Sequence, residues 1–152
     1  MSDQKDVVRR FFATLSTGDL TAIGEFFTDE TIWQVNDVAR GIPTQRGRNA
    51  IISDFLRPIR EGLFEPGDPK ISIRRLIADG DWVVAEATAF GRLLNGKQYI
   101  NEYVFVMQVV GDTIRYVREY LDSDYAHAIS AGAAGAGGEG HVSETLKRLG
   151  HD

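Results

Sequence analysis

Three side chains late in the chain have types and spacing that could move protons: Asn101, Tyr103 and Glu119. They lie in the stretch KQYINEYVFVMQVVGDTIRYVREYLD, where two β-rich runs, 99–110 and 113–121, flank a Gly111-Asp112 turn. That pattern predicts a hairpin. Side chains alternate between the faces of a strand. One face of the first run carries Tyr99, Asn101, Tyr103, Phe105 and Met107, and one face of the second carries Arg115, Val117, Glu119 and Leu121. If these are the same side of the sheet, they make a mostly apolar wall with Asn101, Tyr103 and Glu119 set into it. A carboxylate on such a wall loses hydration, so its pKa rises towards neutrality, the range a general acid or base needs. Alternation defines two faces and not which one is buried. A solvated Glu119 paired with an arginine satisfies the same pattern.

The elements that would hold this hairpin are legible upstream. Val7, Val8, Phe11, Phe12 and Leu15 recur at helical spacing over 3–16, and Gly18 ends the run. Asp19 can cap a shorter helix bearing Leu20, Ile23, Phe26 and Phe27. TIWQV, 31–35, is a short strand, and NDVARGIPTQRG after it is a loop. A third helix is expected over 48–60 with Ile51, Ile52, Phe55, Leu56 and Ile59 inward, and Pro58 predicts a kink or an early end. Strands over 70–78, 82–93, 98–110 and 113–121 are joined by turns bearing Asp79-Gly80-Asp81, Asn95-Gly96 and Gly111-Asp112, an antiparallel meander. Helices first and strands after give an α+β fold with the helices on one face of the sheet.

At 152 residues, with 43% hydrophobic and 26% charged side chains, the chain reads as one ordinary globular domain. SAGAAGAGGEG, 130–140, reads as a flexible linker, and HVSETLKRLGHD as a short helix or tail. The expected division is therefore a domain over 1–129 and a Gly/Ala-rich tail over 130–152. No apolar run is long enough to span a bilayer, and MSDQKDVVRR lacks the apolar core of a signal peptide. A cytoplasmic location is the default expectation. With no cysteine, and with His127, His141 and His151 lacking any HxxxH or HxH spacing, no metal site is expected. A net charge of −5 without a basic stripe argues against nucleic acid. The expected partner is a small apolar organic ligand. The alternate sheet face carries Trp82, Val84, Phe90, Val104, Val106, Tyr116 and Tyr120, which predicts a buried contact with a second copy.

The order of elements, with the strings VVRRFFATLSTGDLTAIGEFFTDETIW, GRNAIISDFL and INEYVFVMQVVGDTIRYVREYLD, resembles the nuclear-transport-factor-2-like superfamily, and within it the SnoaL-like and ketosteroid-isomerase-related proteins. The resemblance covers residues 6–122. It implies a cone-shaped, cystatin-like α+β fold, three N-terminal helices on a curved antiparallel sheet around an apolar pocket, with relatives that commonly dimerise through the sheet. It also implies cofactor-independent isomerase, cyclase or dehydratase chemistry, though the superfamily includes epoxide hydrolases and non-catalytic binders. The ketosteroid isomerase set is absent. Its helix-one tyrosine falls on Phe11, its base on Val35 or, with a shift, Asn36 or Asp37, and its second acid on Asn101. Limonene-epoxide-hydrolase positions fall on Trp33, Val35, Ala87, Ala89 and Glu119, of which only the last keeps an acid. Phenazine-biosynthesis relatives carry strings similar to Asn101-Glu102-Tyr103 and Arg118-Glu119-Tyr120, again with an acid at Glu119. The resemblance thus implies Glu119 as general acid or base, Asn101 and Tyr103 as groups that orient substrate or donate to a developing oxyanion, and a lining of Phe11, Phe12, Trp33, Val35, Phe55, Ala87, Ala89, Phe105 and Leu121.

Overall fold

A computed structural model describes residues 3–36 and 43–131. Helix α1 (Gln4–Leu15) starts where the Asp3 carboxylate accepts the Asp6 N–H at 2.8 Å. Its inward stripe is Val7, Val8, Phe11, Phe12 and Leu15, all buried, as the spacing predicts. Asp19 caps α2 (Leu20–Gly24) in the same way, by accepting the Ala22 N–H. Phe27, expected on this helix, instead opens strand β1 (Phe27–Val35), which is longer than the TIWQV core. A register shift between Phe27 and Ile32 breaks the alternation that would have revealed its length.

A two-residue strand, β2 (Gln45–Arg46), pairs with β1 inside the stretch expected to be loop. Residues of that loop from 37 to 42, including Asp37 and Arg40, lie outside the described residues. The third helical stretch runs as α3 (Arg48–Ala50), a wider π-helical turn (Ile51–Leu56) and α4 (Arg57–Gly62). Pro58 explains the wide turn. Its ring crowds the carbonyl four residues back and it has no N–H to give, and i→i+5 bonding such as Arg57 N–H to Ile52 C=O relieves both. The helix therefore continues past the proline.

Strands β3 (Lys70–Asp79), β4 (Trp82–Arg92), β5 (Gln98–Val110) and β6 (Thr113–Leu121) form the antiparallel meander. The sheet order is β2-β1-β6-β5-β4-β3, with β1 parallel to β6. The helices cover one face. The core between them and the sheet includes Phe11, Phe12, Phe27, Trp33, Phe105, Met107 and Val117. A bulge in β6 opposite Gln108/Val109 inserts one residue, so Ile114 and Val117 both point inward and Arg115, expected on that face, does not stay in step.

A fifth helix, α5 (Ser123–Ser130), follows the last strand and was not anticipated. The Asp122 carboxylate caps it by accepting the Tyr125 N–H at 3.0 Å. Ser130, the first residue of the expected tail, is the last of this helix and is buried. Residues 132–152, with the rest of the linker, the terminal helix, His141 and His151, lie outside the described residues.

The Asn95 amide clasps the end of α5, donating to the carbonyls of Ile129 (3.0 Å) and Ala131 (3.2 Å). Replacing Asn95 by Ala is expected to destabilise α5 by ~1–2 kcal/mol. Hydrogen exchange should quicken at the amides of 126–130 while α1 and β5 stay protected. Unchanged exchange over 126–130 would show that the clasp does not hold the helix.

Candidate active site

The register of the sheet assembles the site. Glu119 on β6 stands opposite Phe105 on β5 and beside Val35 on β1, while Ala87 faces Tyr103 and Ala89 faces Asn101 across β4 and β5. Directly paired residues share a face, so this set lies on the helix-covered side. Glu119 is buried there, with 8% of its surface exposed. Among the described residues no arginine pairs with it. Its neighbour Arg118 points to the other face, donating to Gln34 Oε1 at 3.2 Å and lying over the Tyr120 ring.

Among the described residues the one hydrogen bond on the carboxyl comes from the Trp33 indole N–H, which donates to Oε1 at 2.7 Å. Trp33 also packs its ring on Phe11, Phe27, Phe55 and Phe105. Burial pushes the Glu119 pKa up to about 7, and the indole hydrogen bond offsets part of that rise. With Oε1 engaged, Oε2 is the oxygen left to carry or take a proton.

Two adjoining cavities meet at Glu119. One, of about 70 Å³, is bounded among others by Val35, Phe55, Tyr99, Tyr103, Leu121 and the α5 residue Ala126. The other, of about 80 Å³, is bounded among others by Trp33, Phe55, Ile71, Ala89, Tyr103 and Phe105. Of the expected lining, Trp33, Val35, Phe55, Ala89, Phe105 and Leu121 thus border a cavity. Phe11 and Phe12 do not. They sit one layer deeper, their rings 5.2 Å apart, and support Trp33 and Phe105 from behind. Ala87 is buried in the core and borders neither of these cavities, but an outer hollow with Arg74, Glu86 and Glu102.

Tyr103 borders both cavities, and its hydroxyl lies 2.6 Å from that of Tyr99. Burial raises both phenol pKa values, that of Tyr99 to about 12 and that of Tyr103 well above its usual value, so both are neutral at ordinary pH. Asn101 is buried but borders neither cavity. Its amide nitrogen donates to the Tyr99 hydroxyl and to the Asp122 carbonyl, each at 3.0 Å. Both amide hydrogens are thus spent inside the protein, and Asn101 meets the cavity through Tyr99.

Sequence reasoning gave no role to Tyr99, Tyr125 or α5. Tyr99 shares the face of Asn101 and Tyr103, and that alternation was the available signal. The Tyr125 ring lies 5.7 Å from that of Tyr99, and its hydroxyl accepts the Ile100 N–H at 3.0 Å, which brings α5 over the first cavity. Among the described residues no group of three or more His, Asp or Glu could hold a metal ion.

The raised pKa has a stability consequence. The unfolded chain ionises Glu119 near 4.5 and the folded one near 7. Between those values the folded state keeps a proton that the unfolded state has lost, so stability falls as pH rises through the window. The loss is complete above it and on the order of 3 kcal/mol. Glu119→Gln keeps an oxygen for the Trp33 indole and cannot ionise. Relative to the native protein it should melt higher at pH 8 than at pH 5. An equal melting difference at the two pH values would show that Glu119 does not titrate in this range.

Comparison with known proteins places this geometry. Residues 8–117 match the model of the SnoaL-like domain. No curated protein matches the sequence. Among solved structures, a candidate SnoaL-like polyketide cyclase from Shewanella putrefaciens CN-32 is 16% identical, with a TM-score of 0.71 over 86% of this chain and 98% of that one. A protein of ketosteroid isomerase-like fold from Catenulispora acidiphila DSM 44928, in complex with trimethylamine, is 17% identical, with a TM-score of 0.69 over 82% and 92%. TerC, co-crystallised with polyporic acid, is 18% identical, with a TM-score of 0.72 over 86% and 100%. At such identities these structures show the shared fold alone. The family match extends from α1 into β6 and covers most of the described sheet, and the chain belongs to the SnoaL-like domain family.

Proposed function

We propose that this protein catalyses cofactor-independent acid–base chemistry, of the isomerase, cyclase or dehydratase type, on a small apolar carbonyl or polyketide-like compound. The observation that carries the reading is a buried carboxyl with a pKa near 7, held by one indole hydrogen bond beside an apolar cavity. As carboxylate, Glu119 takes a proton from the carbon next to a carbonyl. The C–H electrons move onto the carbonyl oxygen as an enolate, and the new O–H of Glu119 can return the proton at another atom. A pKa matched to neutral pH serves both halves. Binding of trimethylamine and of polyporic acid by proteins of the same fold supports a small organic occupant.

A second reading, a non-catalytic binder of small ligands, is favoured by the small volume of each cavity. Epoxide hydrolysis with a rearranged triad has less support. Ala87 and Ala89 stand where a charged pair would hold the epoxide, and neither can polarise its oxygen.

Deuterium exchange at the α-carbon of cyclohexanone in D2O, followed by NMR, separates the first two readings. The native protein should accelerate exchange over buffer, and Glu119→Gln should lower that rate by a factor of about 10²–10⁴. No acceleration by the native protein would favour the binder.

The assembly belongs to the same reading: a homodimer through the outer sheet face, working in the cytoplasm. Trp82, Phe90, Ile100, Val104 and Tyr120 are exposed there. The Arg74–Glu102 and Arg75–Glu86 ion pairs put both signs of charge on the same face. A two-fold contact can match such a patch to itself. Val104→Asp would bury an unpaired charge and should turn a micromolar dimer into a monomer by light scattering. A monomer mass for the native protein would remove the interface.

A further inference from the structure

The two tyrosine hydroxyls beside Glu119 cannot satisfy each other. Each phenol has one hydrogen to give. A single hydrogen bond spans the 2.6 Å between Tyr99 and Tyr103, and it uses one of the two hydrogens. The Asn101 group facing Tyr99 cannot take the other, because it is the amide nitrogen. The same nitrogen lies 3.0 Å from the Asp122 carbonyl oxygen, which only a donor can face, and that contact fixes the orientation of the amide. No other acceptor among the described residues bonds to either hydroxyl. One hydroxyl hydrogen is therefore left over, in a cavity that both rings border.

The direction of the chain follows from the donors. Donation from Asn101 polarises the Tyr99 O–H and makes it the better donor of the pair. Tyr99 then gives to Tyr103, and the hydrogen without an acceptor is that of Tyr103, the one tyrosine that borders both cavities and Glu119. The Tyr103 ring is held by stacking on Phe105, with centroids 5.4 Å apart and planes within 5°. That stacking fixes where its hydroxyl oxygen sits.

We propose that the cavity recognises its ligand through an oxygen that accepts hydrogen bonds, that of a ketone, quinone or ether, received by the Tyr103 hydroxyl at the end of a directional Asn101–Tyr99–Tyr103 chain. This rests on the reading of the cavity as a site for a small apolar compound and adds the feature that selects among such compounds. Tyr103 is the residue that touches ligand. Tyr99 and Asn101 are positioning residues that act through it. A hydrocarbon of the same shape would leave the Tyr103 hydrogen buried and unpaired, which is the source of the selectivity.

The test uses cyclohexanone and methylenecyclohexane, which share a shape and differ in the acceptor. Binding is followed by NMR titration of the full chain, and the bound carbonyl by its infrared stretch. The native protein should prefer the ketone by roughly three- to tenfold. The bound C=O band should lie at lower wavenumber than that of the ketone in hexane. Tyr103→Phe keeps the stacked ring and should abolish both the preference and the band shift. Tyr99→Phe keeps the terminal donor and should retain a smaller shift. A preference that survives Tyr103→Phe, or equal binding of the two probes by the native protein, overturns the chain as a recognition element. It leaves the role of Glu119 to the exchange assay. Failure of both probes to bind overturns this proposal together with the small-ligand reading beneath it.

Discussion

A carboxyl group held in an apolar interior is the constraint on which the rest of this structure turns. Burying Glu119 opposes its ionisation, and one indole N–H returns only part of what water would have given. A surface ion pair would have been the stable solution, and the sheet places Arg118 on the opposite face from Glu119. The fold keeps a carboxyl in a state that stability alone would not select. Groups kept in such a state concentrate where chemistry is done.

Holding that state requires the parallel pairing of β1 with β6. In a plain meander β6 would be an edge strand, and Glu119 would lie near solvent. Adding β1 alongside it sets Val35 beside Glu119 and brings the Trp33 indole within 2.7 Å of the carboxyl. The layer behind, Phe11, Phe27 and Phe55, fixes the indole plane by ring contacts at 5.5–6.2 Å. Phe11 and Phe12 thus serve the site without bordering it. The helix that carries them supports the acid through Trp33 and Phe105.

What the sequence made legible was whatever repeats locally. The α1 stripe, the meander turns and the inward set on β4 and β5 follow from periods of 3.6 and 2, and side chains obeyed them where the strands stayed regular. Residues that depend on distant pairing were not legible in the same way. The Trp33–Glu119 bond joins positions 86 apart, and no spacing rule connects them. Alternation placed Arg115 inward, and one bulged residue in β6 moved it out of step. Helix α5 was hidden because nothing in the regular 113–121 run marks the next residue, Asp122, as a cap, and its carboxylate starts the helix. Alternation puts Asn101 on the inner face, but it does not reveal the partners of its amide, Tyr99 and the Asp122 carbonyl.

The closure of the cavity by α5 bears on what the site can admit. Ser123, Ala126 and Ser130 form part of its wall, and the helix is held by the Asn95 clasp and the Tyr125 hydroxyl, not by a continuous core of its own. It also packs on the small apolar set around Leu63, Phe64, Leu93 and Tyr99. A short helix laid over a sheet opens at lower free energy than the sheet beneath it. Closed, it keeps water from the Glu119 carboxyl and so maintains the raised pKa. Opened, it would admit a ligand larger than the closed cavities and let water lower that pKa. The wall and the raised pKa of the carboxyl are therefore linked, since whatever lets water past the one lowers the other.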